Sequence, residues 1–206
     1  YGGLGLPVTT YAKIVEAVSA VWMSLSGIFN SHLIMSAAVA RFGTEEQKRT
    51  WLPKFATGEI RGGLALTEPN CGTDLQAIRM TARRDGDDYV VNGTKTWISN
   101  GIYGSCFALL VKTLGYKGID SAELIFDDYR IPAENLIGGE EGFGLRHALG
   151  GLELGRINVA ARGIGVARAA MEDSVRYAQQ RQTFGKPIAE HQSIANMLAD
   201  MHTRLN

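Results

Sequence analysis

Apolar residues recur every three or four positions over the first part of the chain, which is the spacing of an amphipathic helix. The pattern runs from Thr10 to Phe42. Gly27 and Asn30 interrupt this pattern and predict a break between two helices. Gly43 has the residue type that most often follows the last turn of a helix. The first segment is therefore predicted to be helical, in two pieces.

A capping pattern predicts a third helix directly after Gly43. Thr44 and Gln47 stand three residues apart, so that the threonine hydroxyl and the glutamine amide can satisfy free backbone N–H groups at a helix start. Pro53 lacks the N–H that a helix interior needs, and we expect the helix to bend or end there. Residues 1–60 are therefore predicted to be mostly helical.

After Gly63 the pattern changes to short apolar segments separated by turn residues, which is typical of strands. Asn92-Gly93 lies between two such segments and predicts a hairpin turn, because type I′ turns need positive φ at both central residues. Further strands are predicted at 107–112 and 122–126. Residues 63–131 are therefore predicted to form an antiparallel β domain.

Helical spacing returns from Gly142 to Asn206. Gly163 and Gly165, together with many alanines, give the long helix a face of small residues that lets another helix approach closely, as in a bundle. Pro187 precedes a last predicted helix. The order of helices, sheet and helices predicts an α+β fold. The predicted domains are an N-terminal helical domain at 1–62, a β domain at 63–141 and a C-terminal helical bundle domain at 142–206.

Composition narrows the class of protein. The 206 residues carry 21 basic and 21 acidic side chains, so the chain lacks the basic excess of a nucleic-acid binder. A hydrophobic content of 45% excludes a disordered chain. Polar residues interrupt the apolar run from Ala17 to Met35, and no membrane span is expected. Cys71 and Cys106 are too few for a disulfide framework or a four-cysteine zinc site, which favours a reducing compartment. No metal is expected, because the histidines lack ligand spacing: His32, His147, His191 and His202.

The absence of several motifs excludes several chemistries. The sequence contains no dinucleotide-binding glycine fingerprint, no P-loop, no H-E-x-x-H and no G-x-S-x-G. Two segments, 67–74 and 97–101, instead combine hydroxyls, a glycine N–H and a flat tryptophan. These groups suit a planar heteroaromatic ring and a pyrophosphate. Composition alone favours a plainer alternative, a turn-rich end of a β-barrel with a tryptophan in its core.

Three runs of residues give the chain a resemblance to a known family. Thr-Glu-Pro-x-x-Gly-Thr-Asp at 67–74, Asn-Gly-x-Lys-x-Trp-Ile-Ser-Asn-Gly at 92–101 and Arg-x-Thr-Phe-Gly-Lys at 181–186 resemble the acyl-CoA dehydrogenase family. The resemblance covers essentially the whole chain, in order. It implies N-terminal helices, a central antiparallel β-barrel-like domain and an incomplete C-terminal helical bundle.

The same resemblance implies a function. Members of the family use FAD to oxidise the Cα–Cβ bond of an acyl-CoA thioester to the trans-2-enoyl-CoA, and they pass the electrons to an electron-transferring flavoprotein. The expected assembly is a homotetramer or a homodimer, and the expected role is in fatty acid metabolism. The compartment would be the bacterial cytoplasm or the mitochondrial matrix.

The resemblance also implies roles for individual residues in holding FAD. Those expected to lie against the flavin are Leu64, Ala65, Leu66 and Thr67, with Thr67 bonding the ring. Those expected to cover the other side of the ring are Trp97, Ile98 and Ser99. Gly72 and Thr73 are expected at the pyrophosphate. Those expected to reach the FAD of a neighbouring subunit are Arg181, Thr183 and Phe184, with His191 and Gln192 nearby.

The resemblance gives substrate contacts but no catalytic base. Thr73 is expected to border the substrate, and Glu153 and Arg156 match positions that hold the CoA portion, although they also have the spacing of a surface ion pair. Most family members carry the catalytic glutamate beyond Asn206, and a minority carry it at the position of Gly155. Glu153 stands about 200° around the helix from that position and is not expected to replace it.

One further departure from the family pattern bears on function. Thr113 is followed directly by Leu114, where the family has a further β segment, so we expect the chain to be part of a longer protein. Two alternatives to the dehydrogenase remain open. One is an oxygen-using acyl-CoA oxidase, and the other is a catalytically silent binding or scaffold member that lacks the base.

Overall fold

The structure is a computed structural model that describes residues 1–112 and 124–206. The chain divides into two compact units, each built from separate parts of the sequence. The first unit contains Tyr1–Gly5 and Gly27–Arg156, and the second contains Leu6–Ser26 and Ile157–Asn206. Helices near both ends and strands between them confirm the expected α+β class.

Helix α1 extends over Val8–Phe42 and consists of two helical pieces joined at a kink at Trp22, where φ is −151° and ψ is 90°. The two predicted pieces are therefore present, but the break lies at Trp22 and its predicted position at Gly27 and Asn30 is wrong. A glycine inside a helix costs only about 1 kcal/mol, which the packing of its neighbours can outweigh. By length and composition α1 could cross a membrane, a test that core helices of globular proteins also pass.

Helix α2, Glu45–Thr57, begins with the predicted capping box. The Thr44 side chain accepts from the Gln47 N–H at 3.2 Å, and the Gln47 side chain accepts from the Thr44 N–H at 3.0 Å. The helix does not end at Pro53, where a bend or an end is expected, because it continues to Thr57. Leu52 and Phe55 on either side of the proline are buried in one apolar cluster, and this packing offsets the lost hydrogen bond.

Two sheets follow in the first unit. Strands β1 (Gly62–Ala65) and β4 (Cys106–Leu109) form a parallel pair, with Gly62 opposite Cys106. The antiparallel β domain expected over residues 63–131 is confirmed by the three-stranded sheet described next, but β1 and β4 depart from it by pairing in parallel, and the described residues form no closed barrel. The long connection between β1 and β4 gives the chain room to return to the same end of the pair, which parallel pairing requires.

The second sheet is antiparallel and has the order β2-β3-β5, from strands β2 (Thr81–Asp85), β3 (Asp88–Lys95) and β5 (Leu124–Pro132). Its hairpin turn contains Gly86 at φ 64°, whereas Asn92-Gly93 lies inside β3, so the hairpin predicted there is wrong. Gly93 instead forms a bulge, and the Asn92 side chain accepts from the Asp128 N–H at 2.8 Å. A competing Asp-Gly turn signal at Asp85-Gly86, seven residues earlier, forms the hairpin.

The strands predicted at 107–112 and 122–126 are recovered in part. β4 ends at Leu109, and Lys112 forms a separate parallel bridge with Thr81. Residues 124–126 begin β5, while 122 and 123 lie outside the described residues. The junction of Thr113 with Leu114, where we expect a missing piece, also lies outside them.

The C-terminal part is helical, as predicted. Helix α3 spans Gly144–Gln180 and helix α4 spans Gln192–Leu205, and between them lies the small hairpin of β6 (Gln182–Thr183) and β7 (Lys186–Pro187). In the second unit, a β-carbon on Gly165 would lie 2.2 Å from the Glu16 carbonyl oxygen, so the predicted close helix approach is confirmed there. Short 3-10 helices complete the elements at Leu75–Ala77, Ala133–Asn135 and Ile188–Glu190.

Candidate cofactor site

Three segments of the first unit meet just beyond the end of strand β1. The chain leaves β1 through Leu66 and Thr67, and the Thr67 carbonyl oxygen accepts a hydrogen bond from the Thr96 N–H at 2.9 Å. A β-carbon built on Gly72 would lie 4.0 Å from the Thr67 methyl group. The segment before Thr67, the glycine turn after it and the chain that follows β3 are therefore neighbours.

The segment after Trp97 is tied to the start of β1. A β-carbon on Gly63 would lie 3.1 Å from the Ser99 carbonyl oxygen. The Asn100 side-chain amide donates to the Gly62 carbonyl oxygen at 2.9 Å and to the Ile28 carbonyl oxygen at 3.1 Å. The structure thus brings together the segments predicted to hold the ring and the pyrophosphate.

Trp97 is presented to solvent by its backbone. Its φ is 56°, in the left-handed region, and its side chain is 73% exposed although Thr96 and Ile98 on either side are buried. A non-glycine residue in this region is uncommon and is held there by its surroundings. The alternative of a core tryptophan is therefore wrong, and the indole ring is exposed one residue after Thr96, whose N–H donates to the Thr67 carbonyl oxygen.

The residues predicted to contact the flavin ring and the pyrophosphate offer side-chain hydroxyls and backbone hydrogen-bonding groups. Thr73 and Ser99 are exposed and Thr67 is half-buried, and none of their hydroxyls has a hydrogen-bond partner within the described parts of the chain. Ala65 and Leu66 are buried, so they contribute backbone rather than side chain. Exposed hydroxyls, the turn at Gly72 and the Trp97 ring form a donor set that fits a flavin and its pyrophosphate.

Two charged residues that sequence reasoning left without a role lie beneath these segments. Lys95 has no exposed surface, Glu68 is 6% exposed, and the Lys95 Nζ lies 2.8 Å from Glu68 Oε1. Lys95 Nζ also donates to the Leu66 carbonyl oxygen at 2.9 Å. Burial lowers the pKa of Lys95 below its usual value, and the hydrogen bond and charge of Glu68 oppose that shift. Glu68 lies in the run 67–74 and Lys95 in the run 92–101, both of which carry the family resemblance. That position is the signal by which sequence reasoning could have found them.

The remaining predicted cofactor residues belong to the second unit. Phe184 is 96% exposed at φ 51°, in the turn between β6 and β7. Thr183 Oγ1 and His191 Nε2 lie 3.1 Å apart, which joins the hairpin to the start of α4. Arg181 and Gln192 are exposed. These five residues lie around the hairpin, with Arg181, Phe184 and Gln192 exposed and Thr183 and His191 half-buried.

The predicted CoA contacts lie on α3 within the first unit. Glu153 Oε2 accepts a hydrogen bond from Arg41 Nη1 at 2.6 Å, so the ion pair it forms is with Arg41 rather than with Arg156. Arg156 is exposed. A β-carbon on Gly155 would lie 2.8 Å from Ile34 Cδ1, so this helix position is closely packed against α1.

Both cysteine thiols are expected to react slowly with iodoacetamide at neutral pH. Burial raises the pKa of Cys71, the Glu68 charge adds to that shift, and burial alone raises the pKa of Cys106. Because the thiolate is the nucleophile, raised pKa values mean that alkylation accelerates only as the pH rises past the usual thiol range. Mass spectrometry of timed samples from pH 7 to 10 measures this, with urea-unfolded protein as the control. Equal rates for the folded and unfolded protein at pH 7 would contradict it.

Comparison with known proteins shows the family of the chain. Three family models match in order: "Acyl-CoA dehydrogenase, N-terminal domain" over residues 1–59, the middle domain over 63–122 and the C-terminal domain over 142–206. The chain belongs to the acyl-CoA dehydrogenase family.

Curated relatives show the same family and a difference in length. An acyl-CoA dehydrogenase of Bacillus subtilis is 37% identical over 235 residues, which takes in 99% of this chain and 62% of the relative. The human mitochondrial short-chain specific acyl-CoA dehydrogenase is 34% identical over 97% of this chain and 56% of its own length. The chain therefore spans about three-fifths of these relatives, and the alignment with the Bacillus protein is longer than the chain itself.

Solved structures share the fold. An acyl-CoA dehydrogenase of Bacillus anthracis complexed with FAD matches with a TM-score of 0.89 and 34% identity, over 100% of this chain and 40% of its own. A chain from the structure of the electron transferring flavoprotein of Acidaminococcus fermentans matches with a TM-score of 0.91 and 34% identity, over 100% of this chain and 62% of that chain. A prolyl acyl carrier protein oxidase matches with a TM-score of 0.89 and 29% identity, over 100% of this chain and 62% of its own.

Proposed function

We propose that the protein catalyses FAD-dependent α,β-dehydrogenation of an acyl-CoA thioester to the trans-2-enoyl-CoA and passes the electrons to an electron-transferring flavoprotein. The observation that carries this proposal is the meeting of the Thr67, Gly72 and Trp97 segments in one unit of a chain from this family. FAD, when bound, would supply the acceptor for the hydrogen that leaves Cβ.

The residues of this chain would bind and orient the cofactor. Leu64 to Thr67 would lie along one side of the flavin, with the free Thr67 hydroxyl bonding the ring. Trp97, Ile98 and Ser99 would cover the other side, which is supported by the exposure of the tryptophan. Gly72 and Thr73 would bind the pyrophosphate, and Thr73 would also border the substrate.

A second copy of the chain would complete the site. Arg181, Thr183 and Phe184, with His191 and Gln192, would reach the FAD of a neighbouring subunit in a homotetramer or homodimer. This role is supported by the exposed aromatic ring of Phe184, which a left-handed backbone conformation holds outward. Glu153 and Arg156 would hold the CoA portion. Glu153 would then give up its exposed ion pair with Arg41 and contact the ligand instead.

FAD retention in two single variants tests the cofactor site. Trp97→Ala removes a stacking surface and should weaken FAD binding about tenfold, while Thr67→Ala removes a ring hydrogen bond and should weaken it about fivefold. Flavin absorbance after gel filtration, followed by titration of the stripped protein with FAD, measures both.

The matched controls are Tyr103→Ala and Thr50→Ala, which remove an exposed aromatic ring and an exposed hydroxyl outside the proposed site. Both controls should retain the wild-type flavin content. Wild-type FAD affinity in both site variants would contradict the assignment.

The electron acceptor separates the dehydrogenase from the oxidase. The similarity to a prolyl acyl carrier protein oxidase makes an oxygen-using enzyme the second candidate. A dehydrogenase should oxidise butyryl-CoA only with an electron-transferring flavoprotein or a dye acceptor, and it should release little hydrogen peroxide in air. Steady peroxide release without an acceptor would favour the oxidase, and an absence of flavin binding would favour the silent member of the family.

A further inference from the structure

We propose that Lys95 and Glu68 are positioning residues for the flavin ring: the buried Lys95 ammonium group, held by the Glu68 carboxylate, fixes and polarises the Leu66–Thr67 peptide that faces the cofactor. This inference rests on the proposed FAD site. The pair meets the proposed site through backbone: through the Leu66 carbonyl oxygen, which Lys95 binds, and through the turn before Gly72, which Glu68 closes with Cys71.

Lys95 acts on the peptide that carries the Thr67 N–H. Its Nζ donates to the Leu66 carbonyl oxygen at 2.9 Å, and a cation bound to a carbonyl makes the N–H of the same peptide a stronger donor. Within the described residues that N–H has no partner, so it is available to a ligand beside the Thr67 hydroxyl. The next peptide is held as well, because the Thr96 N–H donates to the Thr67 carbonyl oxygen at 2.9 Å.

Glu68 connects the same ammonium group to the pyrophosphate turn. Its carboxylate accepts from Lys95 at 2.8 Å, from the Met80 N–H at 2.9 Å and from the Arg79 N–H. Its backbone exchanges two hydrogen bonds with Cys71, at 2.9 and 3.1 Å, which closes the turn directly before Gly72. One buried pair therefore braces the segment before Thr67, the glycine turn and the chain leading to Trp97.

Stability alone does not account for a buried ion pair at this place. Desolvation of two charges offsets most of their attraction, and uncharged residues of similar volume often replace such a pair without loss of stability. Uncharged residues would lack the cation on the Leu66 carbonyl. Replacing both charges together therefore separates a role in folding from a role in FAD binding.

The test compares the wild-type protein with Lys95→Met/Glu68→Gln, in which the glutamine oxygen still accepts from the Met80 N–H and only the hydrogen bond from the Arg79 N–H is lost. We expect the double variant to melt close to the wild-type temperature without FAD, to bind FAD about tenfold more weakly, and to hold it with altered flavin carbonyl stretching bands in infrared difference spectra. The matched control is Arg130→Met/Asp85→Asn, which removes an exposed ion pair of the same unit with an N–O distance of 2.6 Å. This control should keep the wild-type melting temperature, FAD affinity and flavin carbonyl bands.

Wild-type FAD affinity and unchanged carbonyl bands in the double variant would overturn the inference while leaving the proposed function intact. A wild-type protein that binds no FAD would overturn both. Where the double variant does not fold, Glu68→Gln decides. It removes the charge that opposes the lowering of the Lys95 pKa, so the buried ammonium group loses its proton more readily and donates more weakly to the Leu66 carbonyl oxygen. The flavin carbonyl bands should therefore move to higher frequency. Unchanged bands in Glu68→Gln would also overturn the inference.

Discussion

The Gly62→Ala protein is expected to lose the stable fold of its first unit. Gly62 is buried opposite Cys106 in the parallel β1–β4 pair. An alanine β-carbon there would lie 1.4 Å from the Cys106 carbonyl oxygen and 2.6 Å from its carbonyl carbon, so the two strands would have to separate. Overpacking costs about 1–3 kcal/mol or more, and we expect this substitution to exceed that range, against a total stability of about 5–15 kcal/mol for a domain.

Thermal unfolding followed by circular dichroism, together with FAD titration, measures the effect of Gly62→Ala. FAD binding should be lost with the fold, because β1 contains Leu64 and Ala65 and leads directly into Leu66 and Thr67. Gly3→Ala is the control, since a β-carbon there would meet nothing within 4 Å, and it should unfold like the wild type. A Gly62→Ala protein with the wild-type melting temperature would show that β1 and β4 do not pair in this register.

Two glycines on helix α3 are expected to give opposite effects when each is replaced by alanine. In Gly165→Ala the new β-carbon would lie 2.2 Å from the Glu16 carbonyl oxygen and 3.0 Å from its carbonyl carbon, so α1 and α3 would have to move apart within the second unit. We expect a loss of about 3 kcal/mol. In Gly163→Ala the new methyl would meet nothing within 4 Å, and the better helix propensity of alanine should add about 1 kcal/mol.

Urea unfolding of the two variants measures this difference in the free energy of unfolding. The residues stand two positions apart on one helix, so each variant serves as the control for the other. Equal stabilities, or a more stable Gly165→Ala protein, would show that the helices are not in contact at Glu16. Loss of stability in Gly163→Ala would show that this face of α3 is covered.

Local signals in the sequence predicted local structure well where one signal stood alone. The capping box at Thr44 and Gln47 has the predicted geometry, because both partners lie within one helical turn. The hairpin turn predicted at Asn92-Gly93 was wrong because Gly86 supplies a second turn signal nearby. A β-bulge, like a turn, can use the positive φ that glycine adopts easily. Pro53 misled because the buried residues on either side of it outweigh one missing hydrogen bond.

The candidate site was predictable as a set of residues but not as a geometry. The recognised runs name Thr67, Gly72 and Trp97, and the structure places their segments side by side. The runs also contain Glu68 and Lys95, yet neither residue type suggests burial, since charged side chains are almost never fully buried unless they are paired. Their pairing joins positions 27 residues apart, which no local pattern reveals.

The sequence by itself determined the order of helices, strands and helices, the start of α2 and the family to which the chain belongs. These features depend on neighbours within a few residues or on the identity of short runs. Only the tertiary structure decided the parallel pairing of β1 with β4, the exposure of Trp97 and the burial of Lys95 against Glu68. Each of these features depends on which distant segments pack together and exclude water. The free energy gained by this burial depends on the whole packed chain and cannot be read from any single segment.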